Sequence, residues 1–334
     1  MKAYRDPTAD KAIWQADEDI RLAKYRAPKH SQFIRTRETK GSGLRVNHGE
    51  WFYSQALRAM KDFGSVKKTV EGNEGDKCLH RTRLDTYGCG CAHDCSYCYA
   101  KSLLKFRNLW DAQHPAIGDI TRIANEIRKI PKTEVVRLGG MTDCFQPAER
   151  LHKITYKTIR LLNKRRLHYL IVTKSALVAD YMDVLDKELA HIQITVTTLD
   201  DELCATYEKA SPPSERVKAI LRLQENGYDV SLRLSPFIPE YVDLGALNGL
   251  GIDKICVEFL QANTWIKKWF KIDYTDYSVR QGGYWHLPLE KKIELLRGLT
   301  GFKEITVCED EDRAYQYWKE NVNHNKEDCC NLRR

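Results

Sequence analysis

The sequence predicts an α/β chain whose mainly parallel sheet is curved into a barrel, and three observations carry that expectation. From about Leu84, short β-branched runs alternate with longer amphipathic stretches, the rhythm of repeated βα units. Two of these runs alternate polar and apolar residues so that the sheet has one polar face. A tight group of cysteines stands just after a strand candidate and just before a helix candidate.

Taken in order, residues 1–77 show no sustained period and carry glycine-bearing stretches at 40–43 and 71–75, so an irregular N-terminal extension is expected there. Apolar residues at helical spacing suggest short helices at Asp10 to Lys24 and Trp51 to Asp62. Strands are expected at Glu134 to Leu138, Leu167 to Thr173, His191 to Thr197, Asp229 to Leu234 and Lys254 to Leu260. A helix at Arg150 to Lys164 puts Leu151, Ile154, Ile159 and Leu162 on one face. A second at Pro212 to Asn226 is well punctuated: Ser211 can cap it, Pro212 suits its first turn, and Gly227 suits the position past its end.

In His191 to Thr197, Ile192, Ile194 and Val196 share one face and Gln193, Thr195 and Thr197 the other; Val230, Leu232 and Leu234 likewise oppose Ser231 and Arg233. With helices outside, the polar set faces the interior of a curved sheet, where a ligand is expected. A half-solvated antiparallel strand is the alternative. From Gln261 the aromatic and basic stretch Trp265 to Lys271, then Tyr284-Trp285-His286 and a terminal helical segment, form a C-terminal cap. Three regions follow: an extension at 1–77, a barrel at 78–260 and a cap at 261–334.

Hydrophobic residues make up 42% and charged residues 30% of the 334, which argues for a folded body and against extensive disorder. No apolar run approaches the roughly 20 residues that span a bilayer, and Met1 to Asp19 lack the apolar core of a signal peptide. A cytoplasmic protein without membrane contact is expected. Eleven cysteines in such a chain argue for metal binding rather than disulfides. The formal charge of +8 favours a polyanionic partner.

Cys91, Cys95 and Cys98 stand in a C-x3-C-x2-C spacing. Three thiolates on one loop can hold three irons of a cubane and leave the fourth open. A structural zinc site wants four ligands, for which Cys89 or Cys78 offers the fourth; that alternative makes the chain a non-catalytic, zinc-binding nucleic-acid module. Cys204, Cys256 and Cys308 are expected as buried thiols. No other triad has tight spacing, so a second cluster is not expected.

The segment Tyr87 to Ala100, with Gly139 to Arg150, Val172 to Ser175, Thr197 to Asp200, Ser235 to Pro239 and the terminal Cys329-Cys330-Asn331, resembles the radical SAM superfamily, and within it proteins similar to spore photoproduct lyase. The resemblance spans roughly residues 84 to 331. It implies a partial (β/α)6 TIM-like barrel with N- and C-terminal extensions, a [4Fe-4S] cluster on Cys91, Cys95 and Cys98, and S-adenosylmethionine across the C-terminal ends of the strands. It implies reductive cleavage of that cofactor to a 5′-deoxyadenosyl radical and hydrogen abstraction from a nucleic acid or nucleobase; a peptide or small molecule is the alternative substrate. The cofactor-binding positions it points to are Tyr97, Gly139, Gly140, Thr142, Asp143, Lys174, Thr197 and Arg233, and the candidate catalytic residues are Tyr99 and Cys144. A reducing partner such as flavodoxin or ferredoxin is implied as well.

The likeness departs in two places. Spore photoproduct lyase carries a cysteine, one residue before a Thr-Ser-Asp run, that returns a hydrogen atom to the repaired thymine. Gly140 stands at the comparable position here, and Cys144 follows the Asp instead. One extra residue between Tyr87 and Cys91 brings in Cys89. The tail pair Cys329 and Cys330 resembles tails in the family, and a place at the barrel mouth as hydrogen donor or ligand is one role open to it.

Overall fold

The computed structural model describes residues 67–325 and 328–332; the helices expected at 10–24 and 51–62 lie outside them. The strands are β1 (Lys67–Thr69), β2 (Thr82–Leu84), β3 (Tyr87–Gly88), β4 (Ala116–Ile117), β5 (Val135–Leu138), β6 (His168–Thr173), β7 (Ala190–Thr195), β8 (Asp229–Phe237), β9 (Lys254–Phe259), β10 (Val279–Gln281), β11 (Tyr284–His286) and β12 (Glu304–Val307). Eight of them form one sheet in the order β1-β2-β5-β6-β7-β8-β9-β12. Its pairings are parallel from β2 to β12, and β1 joins antiparallel. This is a partial (β/α) barrel of the radical SAM type, extended at both ends of the sheet.

The register explains how one sheet serves both a core and a site. Gln193 pairs with Ser231, and Thr195 with Arg233, so the polar residues share a face. Arg233 Nη1 donates to Gln193 Oε1 at 2.7 Å, and Thr195 and Arg233 line a central cavity. The polar face is therefore the interior. On the other face Ile192, Ile194, Val230 and Leu232 join the core with Ile159, Leu162, Ile220 and Leu223 of the flanking helices. Each such buried side chain contributes about 1.5–3 kcal/mol.

Three differences from expectation have local causes. The helix expected over Arg150 to Lys164 is two, Ala148–His152 and Ile154–Arg165, split at Lys153, whose φ is 54°. The buried Glu149 carboxylate accepts from Thr155 N at 2.8 Å and Tyr156 N at 3.0 Å, so the first helix caps the second. Ser211 does not cap Pro213–Glu225; its hydroxyl accepts from Ala176 N at 3.0 Å. The boundaries at 77 and 260 cut through the sheet, because β1 from the expected extension and β12 from the expected cap are both sheet strands. At 3 and 4 residues they are too short to show a period.

The two sheet edges are tied together through the helix Gly72–Lys77. Asn73 Nδ2 and Lys77 Nζ donate to the Asp310 carbonyl beyond β12, at 2.8 and 2.5 Å. The tail returns to the sheet: Cys330 packs against Val135 and Leu170, and Lys254 Nζ donates to Asn331 O at 3.4 Å. Among the described residues no helix is long and apolar enough to cross a membrane.

Candidate active site

A cavity of about 410 Å³ opens where β5 to β9 and β12 end. Cys91, Cys95 and Cys98 line it, on the loop between β3 and the helix Tyr99–Phe106. Cys98 is the N-cap of that helix, and its Sγ accepts from Lys101 N at 3.4 Å. A helix N-terminus favours negative charge, so the third thiol is placed where a thiolate is stabilised. Burial pushes all three thiols above the usual range, so holding them as thiolates would need a cation such as a metal centre beside them.

The number of thiols decides which centre fits. Cys89, the extra residue, does not line the cavity; it takes a left-handed turn, φ 53°, and its carbonyl accepts from Asp111 N at 2.9 Å. Cys78 lies with Cys308 and Cys330 instead. The loop thus presents three of its thiols to the cavity, the number that fits a cubane with one open iron.

The segment Gly139 to Arg150 builds the support for this loop. Gln146 Oε1 accepts from Ala92 N at 3.0 Å and its amide donates to Gly90 O at 3.5 Å. Glu149 accepts from Tyr87 OH at 2.5 Å and from Tyr181 OH at 2.8 Å. Asp143 accepts from Thr173 Oγ1 at 2.7 Å, Lys174 N at 2.7 Å and Phe145 N at 2.8 Å, and lies 3.3 Å from His93 Nε2. Its carboxylate is engaged in joining the loop to the end of β6. Gly139 has φ +83°, and a Cβ there would lie 3.0 Å from Thr142 O. Gly140 N donates to Asp85 Oδ1 at 2.8 Å.

Tyr97, Tyr99, Gly139, Gly140, Thr142, Asp143, Lys174 and Arg233 all line the cavity. Lys174 Nζ donates to Ser235 O at 3.0 Å and lies 5.2 Å from the centre of the Tyr97 ring. The Tyr97 hydroxyl donates to Glu208. Burial works to raise the Glu208 carboxyl, but Lys174 and Arg216, with bonds from Cys204 and Tyr97, hold it down at about 2. Arg233 is matched by Glu258 at 2.5 Å, and Tyr99 OH donates to Gly140 O at 2.6 Å.

Two expected site residues are elsewhere. Thr197 is buried with its hydroxyl 2.8 Å from that of Tyr207, and Cys144 is buried under the loop, outside the cavity. Thr197 lies beyond the last residue of β7, where the alternation no longer governs direction. Residues that sequence reasoning passed over are Asp85, His93, Glu208, Glu258 and Asp310. The last is pushed up to about 7 by burial and by Glu309, Glu258 and Glu74 around it. Asp85, one residue past β2, carried the signal of a strand-end carboxylate; Glu208 and Asp310 belong to no local pattern.

Residues 86–243 match the radical SAM superfamily. That segment, a little under half of the chain, makes the chain similar to the radical SAM superfamily. Its fold is that of spore photoproduct lyase. The structure of that lyase complexed with dinucleoside spore photoproduct aligns with TM-score 0.56 at 13% identity, over 80% of this chain and 88% of that one. A variant of the lyase with bound AdoMet and the same dinucleoside aligns with TM-score 0.54 at 13% identity, over 76% and 93%. At such identity the likeness is one of fold.

Among curated proteins, an uncharacterized protein of Methanocaldococcus jannaschii is 29% identical over 166 residues, 48% of this chain and 62% of its own length. An uncharacterized protein of Acidianus two-tailed virus is 25% identical over 167 residues, 46% of this chain and 55% of its own. The chain thus spans less than two thirds of either relative.

Proposed function

We propose that this chain holds a [4Fe-4S] cluster on Cys91, Cys95 and Cys98, with S-adenosylmethionine beside it, and takes a hydrogen atom from a nucleobase. The observation that carries this reading is the convergence of the three loop thiols on a cavity lined by Tyr97, Gly139, Gly140 and Lys174. Held by Cys91, Cys95 and Cys98, a reduced cluster would supply the one electron that breaks a carbon–sulfur bond of S-adenosylmethionine, giving methionine and a 5′-deoxyadenosyl radical that would become 5′-deoxyadenosine on taking the hydrogen. The residues of the chain bind and orient. Lys174 offers a charge-assisted bond to a carboxylate, the backbone at Gly139 and Gly140 admits close approach, and the Tyr97 face suits an adenine. Tyr99 stands on the same wall as the proposed reacting-side residue.

The substrate class is supported by what surrounds the cavity. Trp265 is 44% exposed and its ring lies tilted beside that of Trp269, 5.8 Å between centres. Lys101 and Lys105, on the helix that follows the cluster loop, lie over Trp269 at 5.4 and 5.2 Å. Ile266 and Phe270 of the same stretch face the core, so it divides into a packed face and an aromatic, basic one. Aromatic platforms with cations suit single-stranded nucleic acid. Inside, Glu74, Glu258, Glu309 and Asp310 make the lining rich in acceptors; this disfavours phosphate and suits the N–H edge of a base taken out of its stack.

The test is formation of 5′-deoxyadenosine by the reconstituted enzyme with and without single-stranded oligonucleotides. A severalfold stimulation that declines with salt supports the reading. Turnover unchanged by any nucleic acid, with no binding at low salt, moves the substrate to a peptide or small molecule.

A further inference from the structure

The cysteine loop is paired with the segment that follows the helix Asp201–Ala205. Ser96 N donates to Tyr207 O at 2.8 Å and Lys209 N donates to His93 O at 2.7 Å, so two backbone bonds bracket Glu208 and pin it to the loop. The Glu208 side chain is fully buried, and its two carboxylate oxygens have different partners. Oε2 accepts from the Tyr97 hydroxyl and from the Cys95 thiol, whose Sγ lies 3.6 Å away. Oε1 lies 2.6 Å from Nη2 of the equally buried Arg216 and accepts from Cys204 Sγ at 2.9 Å. Arg216 is held in turn by two carbonyls: its Nε donates to Ser211 O at 2.5 Å and its Nη1 to Thr195 O at 3.0 Å.

We propose that Glu208, paired with Arg216, is a positioning residue that lowers the reduction potential of the iron centre by holding a fixed negative charge against the Cys95 sulfur. The inference rests on the proposed cluster site and says what tunes it. Net charge and the contacts made to the sulfurs set the potential of an iron–sulfur centre. An electron added beside a carboxylate is opposed by its charge, and the opposition is strongest where water is excluded. Arg216 weakens the effect without cancelling it, because the oxygen that meets Arg216 is not the one that meets Cys95. The loop sulfurs differ in this respect: Cys98 Sγ accepts from Lys101 N at 3.4 Å, a contact that favours an added electron, whereas Cys95 meets a carboxylate.

The carboxylate has nowhere else to go. Swinging away from Cys95 would break the bond from Tyr97, whose ring is packed against those of Tyr207 and Phe270 at 5.8 and 5.6 Å between centres. It would also separate the charge from Arg216, and an unpaired buried charge is strongly destabilising. Stability alone does not account for the pair, since apolar residues of similar volume hold a core as well as a buried ion pair does. What the pair adds is a fixed charge at a sulfur. Breaking a carbon–sulfur bond of S-adenosylmethionine with a single electron demands a strongly reducing centre, and a carboxylate at that sulfur works in that direction.

The test is a redox titration of the full chain, reconstituted anaerobically with iron and sulfide and followed by electron paramagnetic resonance without S-adenosylmethionine. Glu208→Gln keeps the size of the side chain and an acceptor for Tyr97 but removes the charge. It is expected to load iron as the wild type does and to raise the reduced-to-oxidised ratio at a fixed potential about tenfold, a midpoint about 59 mV less negative for one electron. Glu208→Asp keeps the charge and should stay nearer the wild type. Because Glu208→Gln leaves Arg216 unpaired, Glu208→Gln/Arg216→Met provides the same readout should the single variant fail to fold, with a smaller shift in the same direction. A wild-type midpoint in the iron-loaded variants that lack the carboxylate overturns this inference alone. Loss of iron from both of them while folded does so too, since Glu208 would then only support the loop. A wild-type chain that forms no redox-active cluster overturns the underlying reading with it.

Discussion

The two groups of thiols that face the cavity are held by opposite means. Cys91, Cys95 and Cys98 sit within one short loop, stapled from one side by Gln146, Asp143 and Glu149 and continued directly into a helix. Cys78, Cys308, Cys329 and Cys330 come from three separate segments, which the sheet edges and the His80–Asp328 pair join. Damage to the loop's support should therefore disturb the proposed cluster site. Damage to the tail should spare that site and loosen the edges of the sheet.

The largest expected effect is at Glu149. Its carboxylate is fully buried and receives two phenolic and two backbone donors, so Glu149→Ala leaves several buried groups unpaired and should cost at least about 3 kcal/mol. Urea unfolding measures it, and iron retention should fall. Asp328→Ala should cost about 2 kcal/mol by removing the acceptor of Cys330 N and the partner of His80 Nε2, with iron kept, as metal analysis can check.

Lys174→Ala removes a charged donor at the cavity and should weaken S-adenosylmethionine binding roughly 10-fold or more. Iron content should stay unchanged, and calorimetric titration gives the affinity. The smallest effect is expected on the surface: neutralising Lys267, Lys268 and Lys271 should change stability by less than about 0.5 kcal/mol. It should lower the slope of log affinity for single-stranded DNA against log salt, which a salt series reads directly.

This contrast also marks what the sequence could reveal. β5 to β9 were legible because β-branched runs and period-2 alternation are local properties, and the polar interior followed from Gln193, Thr195 and Arg233. The cysteine loop was legible for the same reason: its three thiols lie within eight positions. The break at Lys153 was not, because it depends on where the Glu149 carboxylate goes in three dimensions. β1 and β12 were too short to carry a pattern. The segment Gly139 to Arg150 was visible as a resemblance, but its residues divide between cavity wall and scaffold, and only the fold shows that Asp143, Gln146 and Glu149 hold the loop while Cys144 is buried behind it. That Cys78, Cys308 and Cys329 line the same cavity as the loop was hidden altogether, since they come from segments far apart in the chain.

The measurement that tests the central claim most directly is anaerobic reconstitution with iron and sulfide, followed by dithionite reduction in the presence of S-adenosylmethionine, in the wild-type chain and in Cys95→Ala. The wild type should bind about four irons per chain, as a cubane requires, and form 5′-deoxyadenosine and methionine in equal amounts. Cys95→Ala should form neither, whatever iron it keeps. Cleavage by Cys95→Ala at the wild-type rate, or a wild-type chain that binds four irons and leaves S-adenosylmethionine intact under reduction, would contradict the account.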